Sequence, residues 1–221
     1  MQRLYALVSA GLLRVKNHNL WIIDMVLKKR PVYKLQTYGG EKLKKVSEAV
    51  TEFNSELAAL ADYMIKANRQ LNGIGLAAVQ IGVLKRVVIL EVPANSIGNP
   101  PTPGEIQYLG QMPVVLVNPE ITEYNNEITP YDEGCLSVPN VYARVMRPSI
   151  IKVKAQDLTG AFFEFECGGL LARCIQHEVD HLNGLVFVDR LQEDVHKSVA
   201  SELEALARRG KKFNFKREVK L

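Results

Sequence analysis

The segment Gln176-His177-Glu178-Val179-Asp180-His181 constrains this chain more than any other. It sets two imidazoles four residues apart, with a carboxylate beside the first. On a helix, positions i and i+4 lie on one face, so both rings can reach one metal ion. Glu178 is then close enough to move protons on a water held by that ion. Two of only four histidines in 221 residues fall in this window. Wound at about 100° per residue, the surrounding helix puts Leu171, Ile175, Val179 and Leu182 on one side. Arg173, Gln176, Asp180 and Asn183 form the predicted solvent face. Glu178 and His181 fall in the apolar half and His177 at its edge. Burying such groups unpaired is costly, and a shared cation is the partner that relieves it.

Two imidazoles do not complete a catalytic site, which takes three protein ligands and an open position for water. The residues leave three candidates for the third ligand. Cys135 lies in Glu133-Gly134-Cys135-Leu136-Ser137, where the glycine lets the chain turn and aim a thiolate from outside the helix. Cys174 lies one turn before His177, although a Cys on an apolar helix face is more often a small core residue. Glu202, 21 residues past His181, would make the chain resemble thermolysin-like zinc peptidases. Glu133 and Arg147 pair either as support for the Cys135 loop or as an ordinary surface ion pair.

Composition narrows the class. With 47% hydrophobic and 24% charged residues, the chain reads as a packed globule and not as a disordered one. The net charge is +4, but residues 207–221 alone carry +6, so the body is near −2. No sequence-specific nucleic-acid surface is therefore implied. The run Arg208-Arg209-Gly210-Lys211-Lys212 reads as a solvated end, with association to the ribosome surface the weaker option. Three cysteines, Cys135, Cys167 and Cys174, argue against a disulfide scaffold and fit a reducing compartment. No apolar run approaches the length of a membrane span. The first thirty residues hold six basic residues and one acid, Asp24. They read as a plain extension, as upstream sequence before a true start at Met25, or as an organellar transit peptide. The expected localisation is cytoplasmic, or an organelle if the leader is a transit peptide.

Periodicity predicts a helix from Asn54 to Asn72, capped by Asn54 and stopped by Gly73. It predicts strands at Arg86–Val92 and Val114–Val117, the second closed by Asn118-Pro119. Residues 95–110 read as a Pro- and Gly-rich loop. Residues 150–156 and 161–167 alternate about Asp157-Leu158-Thr159-Gly160, which predicts a hairpin with a four-residue turn. Gly168-Gly169 opens the helix at 170–183 and Gly184 ends it. Strand runs followed by a late helix predict an α+β fold, with antiparallel sheets surrounding the C-terminal helix that carries the HExxH motif. Gly73-x-Gly75-x-x-Ala78 mimics a dinucleotide-binding fingerprint. It follows a helix and leads into a strand, the reverse of what that motif needs, so nucleotide binding is rejected.

Three segments taken in order resemble the peptide deformylase family: Gly73-Ile74-Gly75-Leu76-Ala77-Ala78-Val79-Gln80, Glu133-Gly134-Cys135-Leu136-Ser137 and Gln176-His177-Glu178-Val179-Asp180-His181. The likeness spans about Tyr38 to Leu191. It implies that Cys135, His177 and His181 hold one divalent cation, with Fe2+ native and Zn2+ or Ni2+ as substitutes. It implies Glu178 as the general acid/base, with Gln80 and the Leu136 N–H stabilising the oxyanion. Ile74, Gly75 and Gly134 would pair with the substrate strand, and Leu170 and Cys174 would wall the methionine pocket. The substrates would be N-formylmethionyl nascent peptides, which lose the formyl group as formate. The expected organisation is an extension at 1–36, a catalytic metallohydrolase domain at 37–196 and a basic tail at 197–221. The chain lacks the usual proline near Gly39-Gly40-Glu41-Lys42-Leu43. Two rivals remain at this level: a zinc endopeptidase using the same histidines, and a non-catalytic metal-binding protein.

Overall fold

A computed structural model describes residues 33–213 and 217–218; the readings made for the leader lie outside them. The elements run β1 (Lys34–Leu35), α1 (Ser55–Gln70), β2 (Gly75–Ala77), β3 (Val87–Leu90), α2 (Pro103–Tyr108), β4 (Val114–Tyr124), β5 (Ile128–Cys135), β6 (Val138–Pro148), β7 (Ile151–Gln156), β8 (Phe162–Cys167), α3 (Gly169–Leu182), α4 (Glu193–Ser198), α5 (Ala200–Phe213) and β9 (Arg217–Glu218). The strands form one five-stranded antiparallel sheet, β2-β3-β4-β7-β8, and two pairs, β5-β6 and β1-β9. This is the expected α+β class. No described helix is long and apolar enough to cross a membrane.

The large sheet is covered on both faces near β2 and β3. Leu76, Val87 and Ile89 pack with Leu57, Leu60 and Met64 of α1. Ala77, Val88 and Leu90 pack with Leu171, Ile175 and Val179 of α3. A strand buried on both sides has no polar face, which is why Val87-Val88-Ile89-Leu90 reads as one apolar run. On the far side of α3, β6 contributes Val138, Val141 and Val145 to a third cluster with Phe187 and Leu203. The helix with the histidines is therefore enclosed between two sheets.

Enclosure overturns one reading of that helix. Arg173, Gln176 and Asp180 were predicted to face solvent, yet they are 7%, 4% and 5% exposed. The β5-β6 hairpin covers that face: its charged side chains pair with Arg173 and Asp180, and its Pro148 carbonyl accepts from the Gln176 amide. Arg147 bonds Glu133 at 2.7 and 3.0 Å and Asp180 at 2.7 Å. The Glu133–Arg147 pair is thus buried, not a surface bridge.

Other expectations shift in detail. Asn54 caps α1 as predicted, accepting from the Glu56 and Leu57 N–H groups. The left-handed residue that turns the chain afterwards is Asn72 (φ 56°), not Gly73. β4 does not stop at Asn118-Pro119; Asn118 (φ 50°) sits at a bulge and the strand runs on to Tyr124. The loop at 95–110 contains α2, whose Glu105 accepts from the Thr102 N–H and hydroxyl in a capping box. β5 and β6 were not predicted as strands. The hairpin at Asp157–Gly160 formed as read: Asp157 accepts from Thr159 and Ala161, and Gly160 takes φ +88°. The basic run from Arg208 falls within α5, whose Leu203 is buried against β6.

Candidate metal centre

A cleft of about 420 Å³ opens between the free edge of β2 and the β5-β6 hairpin, above α3. Among the described residues β2 ends the order of the large sheet and β5 has only β6 as a neighbour, so two strand edges face one opening. The cleft lining includes Ile74, Gly75, Gln80, Gly134, Leu136 and Leu170 together with Cys135, Cys174, His177 and Glu178. Of the site residues read from the sequence, His181 alone lies outside that lining; it is fully buried beneath.

Local structure explains each placement. Cys135 closes β5 where the ladder register breaks, ahead of the two-residue turn Leu136-Ser137. Such a break re-aims a side chain, and here the thiol comes within 3.2 Å of His181 Nε2. The His177 and His181 rings stand edge-on, centroids 5.0 Å apart. The donor atoms of Cys135, His177 and His181 all lie within 4.8 Å of one another. His177 Nδ1 meets Glu133 Oε2 at 2.9 Å, which orients the ring. Gln80 is clamped by the Ala77 N–H donating to its Oε1 at 2.7 Å. Its Nε2 is thereby turned toward Cys135 and Ser137, at 3.7 and 3.2 Å. Gly75 admits no side chain: a Cβ there would lie 2.6 Å from both Cys174 Sγ and Glu178 Oε1.

Electrostatics separates the third-ligand candidates. Burial opposes ionisation of Cys135, but the His181 and His177 imidazoles outweigh it and hold the thiol well below its usual range. Burial and the nearby Glu178 carboxylate push Cys174 well above that range, and its Sγ sits 3.4 Å from the Ile74 carbonyl. Glu202 is exposed on α5 and bonded to Ser201. Burial also lifts Glu178 to about 7, against the pull of both imidazoles.

The donor set fits a cation. Ligand atoms around a four-coordinate ion sit roughly 3–4 Å apart, the scale of the Cys135–His181 approach. Glu178 Oε2 is buried with no hydrogen-bond partner among the described residues. Unpaired polar atoms of this kind are rare and mark places where a ligand, ion or water belongs. Fold and site together define a class: metal-dependent hydrolases with the centre set between two open sheet edges.

Comparison with known proteins narrows the class. The Polypeptide deformylase family matches residues 32–197. Peptide deformylase of Cellvibrio japonicus is 42% identical over 163 residues, covering 74% of this chain and 88% of its own. That of Prochlorococcus marinus strain MIT 9312 is 38% identical over 175 residues, covering 78% and 81%. Among solved structures, a variant of Arabidopsis thaliana peptide deformylase 1B superposes with TM-score 0.71 at 35% identity, covering 83% of this chain and 95% of that one. The Thermotoga maritima enzyme gives 0.64 at 34%, covering 73% and 99%. The chain belongs to the polypeptide deformylase family. It is an enzyme of that activity, and the family is metal-dependent. The endopeptidase and non-catalytic readings are not supported.

Reading the sequence missed Arg173, which joins the ionic group around Glu133. The helical wheel carries no signal for it, since Arg173 falls there among Gln176, Asp180 and Asn183 on the polar face.

Proposed function

We propose that this centre hydrolyses the N-formyl group of formyl-methionyl nascent peptides with the following division of labour. Cys135, His177 and His181 hold one divalent cation, ferrous in its native form, with zinc or nickel as substitutes. The observation that carries this is the meeting of one thiol and two imidazoles, their donor atoms within 4.8 Å of one another, beside a buried carboxylate with one unpartnered oxygen. When bound, such an ion lowers the pKa of water and polarises a carbonyl oxygen.

Every other contribution belongs to the chain. The β2 and β5 edges receive the peptide in extended form at Ile74-Gly75 and Gly134, as strand addition does elsewhere. Leu170 and Cys174 wall the pocket for the methionine side chain. Glu178, lifted toward neutrality by burial, takes a proton from the attacking water and returns it to the departing amine nitrogen. Gln80 Nε2 and the Leu136 N–H donate to the oxyanion. Losing one such donor costs about 3–4 kcal/mol of barrier. The domain at 37–196 carries all of these groups.

Formate release from formyl-Met-Ala-Ser, measured without oxygen, tests the assignment. Glu178→Ala is expected to lower kcat about 10²–10⁴-fold while still binding a cation. Wild-type turnover by that variant would overturn the acid/base role.

A further inference from the structure

We propose that Arg173 is a positioning residue for the metal centre, acting through Glu133 on His177; this rests on the assignment of His177 as a ligand. Glu133 is the hinge of the argument. Its Oε2 accepts from Arg147 Nη2 at 3.0 Å and meets His177 Nδ1 at 2.9 Å. Its Oε1 accepts from Arg147 Nε at 2.7 Å and from Arg173 Nη1 at 3.3 Å. One carboxylate therefore sits among two buried guanidinium groups and one ring nitrogen.

The two arginines are not equivalent. Arg147 runs from Glu133 to Asp180, so it ties the hairpin to the helix one turn past His177. Arg173 runs from the helix into the hairpin. Nη1 donates to the Val145 carbonyl at 3.1 Å as well as to Glu133, and Nη2 donates to the Thr129 carbonyl at 2.7 Å and its hydroxyl at 3.2 Å. Tyr131, at the cleft wall, lies over the guanidinium at 5.7 Å. With its donors held on both strands, Arg173 has one arrangement, and Nη1 reaches Glu133 from a fixed base. Glu133 is also two residues before Cys135 on β5. The carboxylate that Arg173 steadies thus controls the orientation of the His177 ring and the approach of the Cys135 strand.

A group that holds a ligand's partner changes metal affinity and ligand geometry, not only stability. Co2+ binding to the metal-free protein reads both, through the dissociation constant and the visible absorption of a cobalt–thiolate site. Arg173→Leu is expected to weaken Co2+ binding about 10–100-fold and to change that absorption. Arg173→Lys keeps the charge but cannot serve both strands at once, and is expected to lose less. Arg144→Leu breaks an exposed pair on the same hairpin and should bind Co2+ as the wild type does. If Arg173→Leu does not fold, Arg173→Lys carries the test with a several-fold loss. Wild-type affinity and spectrum in whichever Arg173 variant is read overturn this inference alone. A wild type that takes up no Co2+ overturns the metal-centre assignment and this inference with it.

Discussion

The two hairpins differ in what they hide. β7-β8 alternates, turns at an Asp-x-x-Gly loop, and puts Val153, Ala155 and Phe165 into an apolar core. β5-β6 has no such pattern on β5: most of that strand is exposed, and Glu133 is its one buried residue. The first hairpin is held by hydrophobic burial, which any similar side chain can supply. The second adds to the apolar face of β6 a set of buried charges shared with α3, in which the loss of one member takes a partner from another. The difference teaches where this fold keeps its specificity: the interchangeable hairpin builds the scaffold, and the charged one aims the Cys135 thiol and the His177 ring.

Substitutions can break this contrast. Cys135→Ser is expected to have the largest effect. Formate release should fall to background and Co2+ uptake should be lost, while the melting temperature of the metal-free protein stays near wild type. A variant with substantial activity would remove the sulfur from the centre. Next, Arg147→Leu should destabilise by about 3–5 kcal/mol in denaturant unfolding, since it leaves Glu133 and Asp180 short of a buried partner. A change below about 1 kcal/mol would class the network with surface pairs.

Acid should sharpen the contrast further. Burial raises Glu133, but bonds to His177 and Arg147 outweigh it and hold the group at about 2 against an ordinary 4.5. A folded-state value below the unfolded one means the stabilisation is complete above 4.5 and is lost as pH falls toward 2. Melting temperatures of the metal-free wild type should therefore drop across that window more steeply than those of Glu133→Gln. Parallel curves would show that Glu133 is not held low. The smallest effect is expected in the other hairpin. Gly160→Ala forces a side chain into φ +88° and against Phe53, a cost of about 1–2 kcal/mol. Formate release per folded molecule should not change; a loss would tie the scaffold hairpin to the chemistry.

Legibility in the sequence followed the same division. α1, the β7-β8 hairpin and α3 announce themselves by period, cap and turn residues, all local properties. α2 was missed although Thr102-x-x-Glu105 is a capping box, because the surrounding prolines and glycines read as loop. β5 is not legible because alternation marks a strand only where one face meets an apolar core, and β5 meets charges instead; β6 does carry the signal, Val141-x-Ala143-x-Val145, on its buried face. Arg173 and Asp180 were misplaced for the complementary reason: a helical wheel sorts residues by polarity and assumes that the polar side is wet. It cannot register a second sheet lying on that side.

What the sequence determined alone was the chemistry on offer. Two histidines and a glutamate at helical spacing needed only short-range geometry to be recognised, whereas Gln80 and the choice of Cys135 over Cys174 and Glu202 came from the resemblance of three motifs taken in order. Tertiary structure decided which groups share a charge environment. The Cys135 thiol is held well below its ordinary range and the Cys174 thiol well above it, because two imidazoles outweigh burial at the first and a carboxylate adds to burial at the second. Coulomb energy depends on distance in space and on the medium between charges, and neither is written in residue order.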